Sequence, residues 1–250
     1  MVQMLVTGAT GTLGREVVSA ALAEDHHVSG LSRRVHHDAR VRWHRADLGT
    51  GEGIDAAVDG VDVIVHCATQ FTGNKDITSG EHLLTTARRA GVEHVVYISI
   101  VGVDRIPMPY YKTKLRVEQM FAASGIGHTV LRATQFHDLI ATIFAAQRFS
   151  PVLFALRGVQ FQPVDTRDVA ARLVEFAGAA PVGRAADVGG PEIRGHLELA
   201  RAYLRWRDSR RPALAVPIPG KIGAGYREGA HLAPQNRIGI NRFEDYLRRS

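Results

Sequence analysis

A chain of 250 residues with 45% hydrophobic and 22% charged residues has an ordinary globular composition, with the length for one large domain or a domain with a small appendage. Its net charge of +6 favours anionic ligands, but the arginines form no long basic stripe interleaved with aromatics, which argues against nucleic acid as a partner. The one cysteine, Cys67, excludes an internal disulfide framework and fits a reducing compartment, and no apolar run approaches the roughly 20 residues of a membrane span. With a strand beginning at the N-terminal Met, no room for a signal peptide is expected, and the reading is cytoplasmic with no membrane partner.

The first stretch with chemistry in it is Leu5 to Gly14. Met4-Leu5-Val6 is a short apolar run ending in Thr7, followed by Gly8, Gly11 and Gly14 and then a helical pattern to Ala23. Strand, glycine loop and helix together make a phosphate cradle. Gly8 permits the turn, Gly11 leaves room for the phosphates, and Gly14 lets the helix lie on the strand. A turn that binds nothing is the alternative, and the flanking strands count against it.

Apolar strand runs then alternate with helical patterns. Strands are expected at 3–7, 27–32, 41–45, 61–66, 94–98 and 129–132, and helices at 13–23, 53–58, 80–90 and 112–124. This alternation implies an α/β fold, a doubly wound parallel sheet of Rossmann-like type, with ligands at the carboxyl ends of the strands. Residues 1–135 are read as the dinucleotide-binding core. Residues 136–250 are read mostly as a small C-terminal substrate-binding region, with segments returning to the core.

The second strand ends in Ser32-Arg33-Arg34, where a ligand with a free ribose 2′-OH would call for an acid. Two arginines suit a 2′-phosphate instead, so NADP is expected as the cofactor; a solvated loop is the bland alternative. Asp47, before Leu48, either accepts from an adenine amino group or caps the next turn. Ala68 and Thr69, after the fourth strand, are small enough for the cofactor to cross. Cys67 reads as packing, with no basic partner implied. After the fifth strand, Tyr110 and Lys114 stand four apart and share one helical face. A nearby ammonium lowers a tyrosine's pKa and equips it for proton transfer. A helix-opening aromatic and a surface lysine are the alternative.

Taken together, Thr7–Gly14, Ser32-Arg33-Arg34, Asp47-Leu48, the run from Ala90 to Ser99, Tyr110-x-x-x-Lys114 and Leu131–Phe136 resemble the short-chain dehydrogenase/reductase superfamily, in its atypical, NmrA-like branch of NAD(P)H-binding proteins. The resemblance spans roughly residues 1–190. It implies that Thr10, Gly11, Thr12 and Leu13 approach the diphosphate, that Ser99 and Lys114 lie near the nicotinamide ribose, and that the segment after Arg132 lines the nicotinamide pocket. Catalytic members carry a Ser or Thr just after the fifth strand, whereas here that position is Ile100 and Ser99 comes one residue early. Two activities follow from the resemblance: an NADPH-dependent reductase of a small, partly apolar carbonyl, quinone or enone, or a non-catalytic NADP(H)-binding redox sensor acting through a protein partner.

In the C-terminal third, helices are expected at 138–149, 165–177, 196–207, 221–229 and 241–249, with an extended piece at 212–219. His137 is a secondary candidate for proton transfer. Asp165 is read as an N-cap. Phe136, Phe144, Phe149 and Phe154 are read mostly as core, with a pocket wall as the alternative. The histidine pairs 26–27 and 36–37 lack metal-ligand spacing.

Overall fold

A computed structural model describes residues 1–34, 36–70 and 74–250. The elements run β1 (Gln3–Thr7), α1 (Thr12–Ala23), β2 (His27–Ser32), β3 (Val41–Arg45), α2 (Ile54–Val58), β4 (Val63–His66), α3 (Lys75–Ala90), β5 (His94–Ile100), α4 (Pro109–Ala122) and β6 (Gly127–Ala133). They continue with α5 (His137–Ala145), β7 (Leu153–Leu156), β8 (Gln160–Phe161), α6 (Thr166–Ala177), β9 (Gly183–Arg184), β10 (Arg194–Gly195), α7 (His196–Trp206), β11 (Ala213–Val216), α8 (Gly220–Arg227) and α9 (Phe243–Arg249).

Seven strands form one sheet in the order β3-β2-β1-β4-β5-β6-β9, a Rossmann-like α/β fold. The pairs β1–β2, β1–β4, β2–β3, β4–β5 and β6–β9 are all parallel. Strands β4 and β5 are buried along nearly their whole length, as near-continuous apolar runs covered on both faces must be. The strand order reverses between β1 and β4, and it is at such a switch point that open α/β sheets bind ligands.

Two compact units are present. One comprises 1–99, 112–131 and 169–186, and the other 100–111, 132–168 and 187–250. In the first, Leu5, Ile64 and Tyr97 of the sheet pack with Leu83 and Ala87 of α3 and Val117 and Phe121 of α4. The second has its own core of Phe144, Phe161, Leu199, Tyr203, Phe243 and Leu247, with β7 paired to β11 and β8 to β10.

Most expected elements stand within three residues of their expected bounds. Two ends differ. Helix α3 begins at Lys75 rather than at Gly80; Gly80 is internal, and a Cβ there would make only ordinary contact, 3.4 Å from Met120 Cε, so this glycine neither starts the helix nor is required by packing. Helix α5 ends at Ala145 rather than at residue 149, and the chain then turns, with Ser150 N donating to Gln147 O. Among the described residues no helix is long and apolar enough to cross a membrane.

Candidate cofactor and active site

The glycine loop is built by sterics. Gly8 has φ +66°, and a Cβ on it would lie 2.7 Å from Ala68 N. A Cβ on Gly14 would lie 2.1 Å from Gly8 O, so α1 can approach β1 only because position 14 is glycine. Gly11 N donates to Gly8 O at 2.9 Å and closes the turn. Helix α1 then starts with no side chain capping it, while Thr10, Gly11 and Thr12 are exposed and Leu13 and Gly14 are buried. Uncapped N–H groups at an exposed helix start beside the switch point form an anion cradle, and they fit the diphosphate of a dinucleotide.

Ser32, at the end of β2, is buried and its Oγ accepts from Arg34 N at 3.2 Å. Arg33 and Arg34 are exposed, and their guanidinium groups have no carboxylate partner among the described residues. Asp47 performs the turn-capping half of its two expected roles, as its Oδ1 accepts from Gly49 N at 2.7 Å; Leu48 beside it is in the core. At the end of β4, Gly8 packs against Ala68. Thr69 Oγ1 donates to Asp76 Oδ2 at 2.7 Å, and Gln70 N donates to Asp76 Oδ1 at 2.5 Å. Asp76 is buried in the first turn of α3, so one carboxylate both fixes the chain after β4 and faces a helix N-terminus.

The centre of the unit is Lys114, only 3% exposed. Its Nζ donates to Ile98 O at 3.1 Å and sits 4.4 Å above the Tyr97 ring. Ile98 O is its one hydrogen-bond acceptor among the described residues, which leaves two ammonium hydrogens for a ligand's hydroxyls. Burial pushes its pKa down to about 8, against the charges of Asp76, Cys67 and Glu118, which favour the ammonium. Successive strand residues alternate in direction, so Ser99 lies on the Tyr97 face of β5 and Ile100 on the other. Ser99 is 2% exposed, and its Oγ has no hydrogen-bond partner among the described residues.

A second buried pair was not singled out from the sequence. Thr7 Oγ1 and His66 Nδ1 share a 2.7 Å hydrogen bond, and Ala68 N donates to Thr7 Oγ1 at 3.4 Å. Burial, and then the charge of Lys114, hold His66 neutral with a pKa near 3. Burial pushes the Cys67 thiol up to about 12, which makes it a poor nucleophile, as its sequence context suggested. The expectation that Cys67 has no basic neighbour needs correcting, because the charge of Lys114 acts on it from a helix about 47 residues away in sequence. The one available signal for His66 was a histidine closing the apolar run Val63-Ile64-Val65.

Tyr110 is half-buried in the first turn of α4, one turn before Lys114 on the same helix. Its neighbour Tyr111 is buried, and the Tyr111 and Tyr226 hydroxyls share a 3.1 Å hydrogen bond, with Tyr226 donating on to Met108 Sδ at 3.4 Å. Burial raises the Tyr111 pKa, so Tyr111 is a fixed neutral phenol. His137 is 2% exposed: its Nε2 bonds to Asn241 O at 3.1 Å, its ring stacks on Tyr246, and burial lowers its pKa. These are packing contacts, and His137 Nδ1 is buried with no hydrogen-bond partner among the described residues. Asp165 caps α6 as expected, its Oδ1 accepting from Arg167 N at 3.0 Å. Phe144 is in the core, whereas Phe149 and Phe154 are 86% and 43% exposed and are not. No cluster of three or more His, Cys, Asp or Glu suited to a metal occurs among the described residues.

A parallel sheet with a switch point, a glycine cradle under an uncapped helix and a buried lysine on the strand-end side define a Rossmann-type nicotinamide dinucleotide-binding protein. A sequence profile described as NAD(P)H-binding matches residues 8–177, and the chain belongs to that family. It is an NAD(P)-binding protein of the oxidoreductase type, in the atypical, NmrA-like class of short-chain dehydrogenase/reductases. It is 32% identical over 246 residues to a (4-alkanoyl-5-oxo-2,5-dihydrofuran-3-yl)methyl phosphate reductase of Streptomyces griseus, covering 91% of this chain and 86% of that protein. It is 26% identical to the photosystem II assembly factor Ycf39 of Trieres chinensis over 67% of this chain and 57% of that protein. The structure of the NADPH-dependent quinone oxidoreductase QOR2 of Escherichia coli, complexed with NADPH, superposes with a TM-score of 0.79 at 17% identity, covering 98% of this chain and 99% of that one, which is a likeness of fold.

Proposed function

We propose that this protein is an NADPH-dependent reductase of a small, partly apolar molecule carrying a conjugated carbonyl: an enone, a quinone or a simple carbonyl. The observation that carries this reading is Lys114, a buried ammonium with two hydrogens to spare, one turn from Tyr110 on α4. The reductase from Streptomyces griseus supports the conjugated carbonyl, since its substrate, by name, is a dihydrofuranone that bears an alkanoyl group and a methyl phosphate.

Bound NADPH supplies the hydride. Gly8, Gly11 and Gly14 with Thr10, Thr12 and Leu13 hold the diphosphate, while Ala68 and Thr69 give it room to cross β4. Ser32, Arg33 and Arg34 hold the 2′-phosphate, with no acid at the end of β2 to take a 2′-OH. Ser99 Oγ and Lys114 Nζ hold the nicotinamide ribose, and Asp47 and Leu48 flank the adenine. Tyr110 Oη donates the proton that balances the hydride, assisted by the Lys114 ammonium. Residues 136–250, apart from the segment 169–186 that returns to the first unit, supply most of the substrate contacts, and the reaction takes place in the cytoplasm. The test is NADPH oxidation at 340 nm against a panel of acyl-butenolides, quinones and aldehydes. Turnover of at least one acceptor, reduced by about 10²-fold or more in Tyr110→Phe with NADPH binding intact, is the expected result. Unchanged turnover in Tyr110→Phe would remove the tyrosine from the scheme.

A second reading, an NADP(H)-binding redox regulator, is favoured by Ile100 at the end of β5, where catalytic relatives of this class need a hydroxyl, and by the Ycf39 relatives. Its signature is tight and unequal binding of NADPH and NADP⁺ with no turnover across the panel.

A further inference from the structure

The second unit exposes apolar side chains on a frame of its own. Phe149 is 86% exposed, Leu214 50%, Phe154 43% and Ile143 39%. They are not scattered. Leu214 and Phe154 are register partners across the β11–β7 pair. Gln147 donates to Ile143 O and to Phe154 O, both at 3.3 Å, and accepts from Phe154 N at 2.9 Å, which ties α5 to β7. Arg211 donates to Gln147 O and Ser150 O and so fixes the turn that carries Phe149.

Two arginines stand at this patch, Arg148 stacked on Phe149 and Arg211 on the turn that carries it. The two segments that build it, 139–164 and 209–227, contain six basic residues and no acid: Arg148, Arg157, Arg210, Arg211, Lys221 and Arg227. None of the six has a carboxylate partner among the described residues; Arg157 and Arg227 spend donors on backbone carbonyls and Arg148 stacks on Phe149. Four acids, Asp138, Asp165, Asp208 and Glu228, stand one residue outside the two segments, so the segments are basic within acidic ends.

We infer that this face docks on an anionic lipid surface, with Phe149, Phe154 and Leu214 entering the headgroup boundary and the arginines on the phosphates. Exposed aromatic and aliphatic side chains amid basic ones are what interfacial binding requires. A second copy of the chain is a poor occupant, because it would bring the like charges of Arg148 and Arg211 to the same contact, and Gln147 already caps the Phe154 backbone that a strand would need. The expectation of no membrane partner is thereby narrowed to the absence of a spanning helix among the described residues. The inference does not depend on the reductase reading.

The test is co-sedimentation of the full chain with phosphatidylcholine vesicles, with and without 30% phosphatidylglycerol. Binding to the anionic vesicles at low salt is expected, weaker in 0.5 M NaCl and absent on neutral ones. Phe149→Ser/Phe154→Ser/Leu214→Ser should lose at least tenfold in partition. Arg148→Gln should lose about fivefold, the share of one arginine near an anionic surface. Phe149→Trp reports insertion directly, through a blue shift of its emission on anionic vesicles. These sites are exposed, so unchanged thermal unfolding and unchanged NADPH binding will show that the variants are folded. Absence of binding at low salt, or equal binding by the triple variant, overturns the inference. So does a dimer that the triple variant dissociates, or an acidic protein that binds the face while vesicles do not.

Discussion

Lys114 carries a charge where the protein makes charge expensive. Its pKa near 8 in the fold lies below the 10.5 of an unfolded chain, so between those values the unfolded state holds the proton and the native state releases it. Stability from this residue therefore rises as pH rises from about 8 to 10.5, and below pH 8 the full burial penalty is present. Lys114→Met, which keeps the length of the side chain, is expected to be more stable than the parent at pH 7 by up to about 3 kcal/mol, with the gap closing above pH 8. Urea unfolding of both forms at pH 7.0 and 9.5 measures this, and a gap that does not change with pH would mean that the ammonium is better solvated than its 3% exposure implies. The same variant should lose activity at pH 7, because a thioether cannot supply the Nζ hydrogens, so stability and function move in opposite directions at one residue. The arginines of the second strand are the contrasting case, exposed and without carboxylate partners among the described residues. Arg33→Ala and Arg34→Ala should each weaken NADPH binding by about 10- to 100-fold, the worth of a charged hydrogen bond, and leave NADH binding nearly unchanged, as titration of each cofactor will show. Equal effects on both cofactors would place the arginines away from the 2′-phosphate.

At the scale of elements, the Gly8–Gly14 contact sets how close α1 can come to β1. With only 2.1 Å between a Cβ at position 14 and Gly8 O, Gly14→Ala must push the helix start outward. It is expected to cost about 1–3 kcal/mol of stability and most of the NADPH affinity, read by thermal unfolding and cofactor titration, since a moved helix no longer points its N–H groups at the same place. Gly91→Ala makes a control of the opposite kind: position 91 has positive φ, which Gly14 does not, but no atom crowds it, so only the modest strain of a left-handed alanine is expected and cofactor affinity should stay the same. The strands and the glycine loop were legible in the sequence because each is a local signal: Val63–His66 is an apolar run, and Gly8, Gly11 and Gly14 have fixed spacing. What could not be read was the convergence of Asp76, His66, Cys67 and Lys114, which come from α3, β4 and α4 and meet only because parallel crossovers bring sequence-distant segments together. Phe149 and Phe154 were misread for a similar reason: an apolar residue signals core only if its element has a covered face, and β7 alternates buried Leu153 and Ala155 with exposed Phe154 on a two-stranded sheet that no local pattern discloses.

Across the whole molecule, the response to acid is governed by histidines that the fold keeps uncharged. Burial pushes His66 down to about 3 and His196 and His231 to about 4, from 6.5 in an unfolded chain. The rings are 1%, 3% and 0% exposed, and each has one nitrogen tied to a neighbour: His66 to Thr7, His196 to Leu156 N, and His231 to Gln160 O. A folded pKa below the unfolded one means that the unfolded chain takes up the protons first. The stability these residues preserve is intact above about pH 6.5, falls as the pH drops, and levels only below about 3–4, where the native state titrates too. Near pH 5 all three are charged in the unfolded chain and largely neutral in the native one, so unfolding takes up about three protons and stability falls by roughly 4 kcal/mol per pH unit from histidine alone. Such a slope removes most of a typical domain's stability within about two pH units, and unfolding is expected well before the carboxylates are protonated. Both units share the burden, His66 in one and His196 and His231 in the other. His196→Gln keeps an acceptor for Leu156 N and removes one titrating site. It should flatten the dependence of unfolding free energy on pH between 4.5 and 6 by about 1.4 kcal/mol per pH unit, and a His66→Gln/His196→Gln double variant by about twice that. Urea unfolding at half-unit pH steps gives the slopes, and a parent slope no steeper than that of the double variant would show that the buried rings reach water before the fold is lost.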